Sequence, residues 1–160
     1  MRHVGQGKLG IGTALGVAIA AAGTLAMAPA ATAVAPTPDT ATLSFDCGSY
    51  GSGTATLTAT QDGTSATISL STSAITSPID IGANSVTSTL TLTKNGSGTT
   101  EFTGSSNPAI PAGSAVSSGP LSGTVAAGDS LEATSLKIVV LGITATCKAT
   151  SPQSPGPFVF

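Results

Sequence analysis

Residues 54–71 read TATLTATQDGTSATISLS, and the alternation in this stretch decides the fold class. Ala55, Leu57 and Ala59 fall on one side of an extended chain, with Thr54, Thr56, Thr58 and Thr60 on the other. After Asp62-Gly63 the pattern resumes, with Ala66, Ile68 and Leu70 set against Ser65, Thr67, Ser69 and Ser71. Successive side chains of a strand point to opposite faces, so a period of two marks a strand with one buried face. Asp-Gly between two such runs is the chemistry of a tight hairpin. β-Branched Thr suits the outer pleated surface.

The same pattern spreads in both directions. Ala41, Leu43, Phe45 and Cys47 share one face of a first strand, and Val86, Leu90 and Leu92 alternate with threonines. Near the end, Leu136, Ile138 and Val140 form one inward set, and Ile143, Ala145 and Cys147 another. Asn95-Gly96-Ser97-Gly98 and Ala127-Gly128-Asp129 mark further turns, while Gly104 to Pro120, with Pro108, Pro111 and Pro120, reads as the longest loop. Short strands at this spacing predict an all-β sandwich or barrel. No stretch after residue 33 shows a helical period.

The N-terminus reads as a secretory signal. Arg2 and Lys8 precede an apolar run from Leu9 to about Met27, and Ala31-Thr32-Ala33 offers small residues to a signal peptidase. Gly10, Gly12, Gly16 and Gly23 dilute the run as a membrane-spanning helix. The expected organisation is a signal peptide over 1–33, cleaved between Ala33 and Val34, and a flexible segment over 34–39. A β-sandwich domain over 40–150 and a Pro-rich tail over 151–160 follow. Pro152, Pro155 and Pro157 argue against a central strand in the tail. A terminal Phe160 also occurs in outer-membrane barrels, but these strands are too short and their apolar band too weak for that reading.

Charge narrows the partners. After Ala33 the acids are Asp39, Asp46, Asp62, Asp80, Glu101, Asp129 and Glu132, and the bases are Lys94, Lys137 and Lys148. Seven acids against three bases leave a net charge of −4. Without Arg or clustered Lys, neither nucleic acid nor an anionic membrane surface is an expected partner, and no membrane contact is expected once the signal is removed. The expected partner is an extracellular macromolecule or a cell-surface component.

Catalytic chemistry has little to work with. The one histidine, His3, lies in the signal segment, so an imidazole-based triad is not expected in the mature chain. Lys137 and Lys148 alternate with apolar neighbours and should face solvent, which disfavours a Ser–Lys dyad. The acids mark turns and strand ends rather than a paired-carboxylate cleft, and no Asp-x-Asp cluster suggests calcium. With no Trp and one Tyr, Tyr50, the chain lacks the aromatic platforms of sugar sites. No catalytic, cofactor-binding or metal-binding residue is therefore expected, and no cofactor. Cys47 and Cys147 are too few, without His, for a zinc site. In an exported chain they are expected to form one disulfide, closing a loop of about 100 residues.

Phe45-Asp46-Cys47 near the mature start, and Thr146-Cys147 after Leu141-Gly142-Ile143, resemble a largely uncharacterised family of small secreted actinobacterial proteins. The resemblance implies an immunoglobulin-like antiparallel β-sandwich, one disulfide and an extracellular location; it supplies no activity. Taken together, the reading is a secreted non-catalytic β-sandwich acting as an extracellular interaction or structural domain. The alternative is a carrier of a small apolar ligand, since Ala55, Ala59 and Ala66 leave room inside. N-terminal sequencing of the exported protein should begin at Val34; recovery of only an intact Met1 form in membranes would refute the cleavage site.

Overall fold

The computed structural model describes residues 34–160; the expected signal peptide, including Ala33 of its cleavage site, lies outside the described residues. The strands are β1 (Thr40–Asp46), β2 (Ser52–Asp62), β3 (Ser65–Thr76), β4 (Thr87–Lys94) and β5 (Gly98–Gly104). They continue with β6 (Ala115–Thr124), β7 (Ser130–Val140), β8 (Ile143–Ala149) and the two-residue β9 (Phe158–Val159). A single 3-10 turn, Gly48–Tyr50, links β1 to β2.

All pairings are antiparallel, and the order is β4-β5-β6-β3-β2-β1-β8-β7. β4 then pairs with β7 along its whole length, Thr87 opposite Val139 through Lys94 opposite Leu131, and this closes the ring. The fold is an eight-stranded antiparallel barrel, which corrects the expected immunoglobulin-like sandwich. The physical reason is local. Alternation fixes which face of each strand is buried, and sandwiches and barrels share that pattern. They differ in whether the sheet edges pair, and no short-range signal encodes that. The barrel consists of two four-stranded groups, β5-β4-β7-β8 and β6-β3-β2-β1, joined along both edges.

The two joins are short. β5 meets β6 at one register pair, Thr103 opposite Ser122. Phe102 reinforces it: its fully buried ring lies over Gly123, where a Cβ would come within 2.6 Å of the ring atoms. β1 meets β8 at two pairs, Phe45 opposite Ala149 and Asp46 opposite Lys148. The same register, one step further, brings Cys47 to Cys147. They form the expected disulfide, with Cα atoms 3.9 Å apart.

The C-terminal tail completes the β1–β8 join. Thr42 and Ser154 exchange both backbone hydrogen bonds, at 2.7 and 2.8 Å, as do Thr37 and Val159, at 2.9 and 3.0 Å. β9 pairs on its other side with Ser130 and Leu131 of β7. Gln153 is buried; its Oε1 accepts from the Ala133 N–H, and its Nε2 donates to the Gly156 carbonyl. So 151–160, expected outside the sheet, forms wall between β1 and β7, and Thr37 of the 34–39 segment is tied to it. Three prolines are tolerated because the ladder N–H groups come from Ser154 and Val159, not from positions 152, 155 or 157.

β6 is the second departure from expectation, since the prolines and glycines of 104–120 point to a loop. Val116, Ser118, Leu121, Gly123 and Val125 form one inward row only if the phase slips once. It does: Ile68 faces Leu121 and Leu70 faces Ser118, so Gly119-Pro120 oppose Ser69 as a bulge. Gly119 adopts φ +107°, and any Cβ there would meet the Ile68 carbonyl at 2.9 Å. β7 slips in the same way. Thr134 is extra between the pairs Thr91–Ser135 and Leu92–Ala133, so Leu131 and Ala133 point inward before it and Leu136 after it.

Since the β1–β8 join holds only two ladder pairs, the disulfide carries much of it. The Cys47→Ala/Cys147→Ala variant should lose roughly 2–5 kcal/mol of stability and melt well below the wild type. Alkylation without reduction should find no free thiol in the wild type; two reactive thiols would overturn this account of the join.

Candidate functional site

The barrel interior is unevenly filled. At one end lie the Gly63 and Asn95-Gly96 turns, the start of β7 and β9. Phe102, Phe158, Leu57, Ile68, Leu92, Leu121 and Leu131 are fully buried toward this floor. The floor is also latched by polar groups. Asp129 Oδ2 is 2.7 Å from Lys94 Nζ and accepts from the Ala126 N–H at 2.7 Å. Asn95 donates to Asp129 Oδ1 and accepts from the Ser130 N–H. Phe160 is held here too, its main-chain oxygen accepting from the Gly128 N–H and its N–H donating to the Asp129 carbonyl.

The opposite half contains smaller residues. Ala55, Ala133, Ala149 and Ser118 stand where the floor half has Leu and Phe, and a cavity of about 80 Å³ remains. Its apolar walls come from Leu43, Phe45, Leu70, Ile75, Leu136 and Ile138, with the Cys47–Cys147 bridge on one side. It opens at the end where β1, β3 and β7 finish. The polar wall atoms are mostly hydroxyls. Ser118 Oγ is 2.6 Å from Ser88 Oγ, and both residues are buried. One hydroxyl donates to the other, so the pair retains one further O–H hydrogen.

Above the open end, the segments 77–86 and 105–114 are cross-linked. Ile81 and Ile110 exchange both backbone hydrogen bonds at 2.9 Å. Buried Asn107 accepts from the N–H groups of Ser85 and Val86 and donates to the Gly82 and Pro108 carbonyls. These bonds fix the rim with side-chain chemistry where strand pairing has ended.

Among the sequence-derived site residues, Cys47 and Cys147 meet and line the cavity, while Val34 is an exposed start to the described chain. Among the described residues, no three His, Cys, Asp or Glu side chains converge as a metal site would require. Leu43, Phe45, Ala55, Leu70, Leu136 and Ile138 were legible as inward residues. Ile75, Val116, Ser118 and Ala133 were not, because bulges displace the alternation that would reveal them. No protein-family model matches this chain, and no curated protein or solved structure matches it either.

The floor latch has a pH signature. The Lys94 ammonium, then the Ala126 N–H, hold the Asp129 carboxyl below its ordinary value, partly opposed by desolvation; Asn95 adds to the lowering. A lowered folded-state pKa contributes stability that is complete above the unfolded value, about 3.9, and is lost as pH falls through the folded value. Thermal melts should therefore show wild type above Asp129→Asn by a constant margin from about pH 5 upward, shrinking below about pH 4. A margin unchanged at pH 3 would contradict this role for the carboxylate.

Proposed function

We propose that this protein is a secreted, non-catalytic carrier of a small, slender apolar ligand held in the open half of the barrel. The observation that carries this reading is the apolar cavity between a packed floor and an open mouth. Eight-stranded barrels are just wide enough either to fill with side chains or to hold one small ligand. This one does the first at its floor and leaves room for the second at its mouth. About 80 Å³ is near half of the ~150 Å³ engineered cavity that takes benzene. The ligand is accordingly narrow, such as the end of an unbranched acyl chain, with its remainder lying in the mouth. The Ser118 hydroxyl would orient one oxygen of the ligand, as a few polar groups do in otherwise apolar pockets.

Location and chemistry support this reading. The disulfide suits an oxidising compartment. Threonines 42, 58 and 60 face outward while leucines and phenylalanines face inward, the reverse of a transmembrane barrel. The competing reading, a domain that recruits partners along an exposed sheet edge, has less to stand on because the edges of the two four-stranded groups meet each other in the ring.

Native mass spectrometry of protein secreted into medium should reveal a bound apolar molecule, and a fluorescent fatty-acid probe should bind the solvent-extracted protein. Ala55→Leu, placed in the cavity wall, should weaken probe binding at least about tenfold while the protein stays folded. Probe binding that ignores this substitution, or no binding at all, would reject the carrier reading.

A further inference from the structure

The β7–β8 hairpin ends at the open mouth in Val139-Val140-Leu141-Gly142-Ile143, with no charged residue from Val139 to Thr146. Val140 pairs with Ile143, so Leu141 and Gly142 are the two turn residues. Both have positive φ, +50° and +78°, which makes a type I′ turn. That turn favours Asn-Gly or Asp-Gly, and a bulky residue at positive φ is strained. Among the described residues, the other non-glycine positions with positive φ are Asn84 and Asn95. The chain thus uses asparagine at those two positions and leucine at this one.

Packing does not explain the leucine. Leu141 is 69% exposed and Ile143 52% exposed. Tyr50, on the 3-10 turn that packs against β8, is 50% exposed. These side chains contribute little to the core, and Leu141 does so from a strained backbone. Such a residue indicates a contact outside the folded chain.

We infer that the mouth end docks on a zwitterionic lipid bilayer, inserting Leu141 and Ile143 into the acyl boundary with Tyr50 at headgroup level. Tyrosine favours that interface, where its ring and hydroxyl meet different media. Charge complements the arrangement. Lys137 and Lys148, two of the three lysines after residue 33, lie exposed on the outer face of the same hairpin, Lys137 some 13 Å behind the tip at ~3.3 Å per residue. From there it reaches lipid phosphates, while Asp46 stands across from Lys148 in the register and moderates its charge. The acidic balance of the whole chain directs the contact to a zwitterionic surface rather than an anionic one. Docking here would place the cavity mouth against the membrane, so an apolar ligand could pass without crossing water. The docking itself rests on the tip and not on the carrier reading.

The test is co-flotation of the mature protein with phosphatidylcholine vesicles. Wild type should float with the vesicles, and Leu141→Asn should reduce the bound fraction roughly tenfold or more. Because Asn-Gly suits the turn, Leu141→Asn should also melt at or above the wild-type temperature, which a structural role for the leucine would not allow. Ile143→Thr, which keeps β-branching, should weaken binding in the same direction. Ala55→Leu should float like wild type; if filling the cavity abolishes flotation, a lipid tail in the cavity is the anchor and the tip inference fails. No flotation of wild type, flotation unaffected by Leu141→Asn, or a concentration-dependent dimer that Leu141→Asn dissolves would each overturn it.

Discussion

The barrel depends on closing the join between β1 and β8, the first full strand and the last. Among the eight barrel strands, every other pair except β5–β6 has a ladder of at least six partners, whereas β1 and β8 share two. Left at that, the wall would gape along the N-terminal half of β1 and expose the inward rows of both four-stranded groups. Three devices close it: the Cys47–Cys147 bridge at the mouth end, the backbone exchanges of Thr42 with Ser154 and Thr37 with Val159, and the buried amide of Gln153. Phe158 then fills the space behind that patch of wall. The tail is therefore a structural part of the barrel, and Thr37 and Thr42 on one side and Ser154 and Val159 on the other hold each other in place.

This arrangement explains why the mouth end can be under-filled. Apolar burial is concentrated toward the floor, where seven large side chains are fully excluded from water and Asp129, Lys94 and Asn95 satisfy one another. With the floor packed and the seam stapled, the mouth half can tolerate Ala55, Ala133 and Ala149 without collapse. A disulfide at the level of the cavity further limits inward movement of β1 and β8, the walls most able to close the space. Stability at one end and spare volume at the other are two consequences of the same distribution of side-chain size.

Much of this was legible in the sequence, and the reasons for the rest are specific. The inward identity of Ala41, Leu43, Phe45, Leu57, Ile68, Leu90 and Leu92 follows from unbroken alternation, and all are buried. The disulfide followed from two cysteines on inward rows of the first and last strands. Leu121, Val125 and Leu131 were missed because bulges at Gly119-Pro120 and Thr134 split their rows into fragments too short to show a period. Ring closure was missed because β4–β7 pairing joins residues about 40 to 50 positions apart, far outside any local pattern. Proline content alone points away from the sheet, and only the register shows why the tail still pairs. A proline is harmful only where the ladder needs its N–H, and at 152, 155 and 157 it does not. The cavity was least legible of all, since it depends on which small residues end up facing one another across a closed ring.

The same contrast between ends bears on the hairpin tips. At the floor, the turns use Gly63, Asn95 and Gly96, residues suited to positive φ, and Asn95 also hydrogen-bonds within the latch. Local preference and tertiary contact agree there, as they do wherever a sequence is shaped by folding alone. At the mouth they disagree. Leu141 occupies a conformation that suits asparagine, and it projects an apolar side chain into water at the hairpin tip that exposed Ile143 also flanks. Rim segments at the same end are meanwhile fixed by the four hydrogen bonds of Asn107. The mouth is thus a firmly held opening with a strained apolar lip. A folding requirement would remove that strain with one substitution, so folding alone does not account for a leucine at this turn.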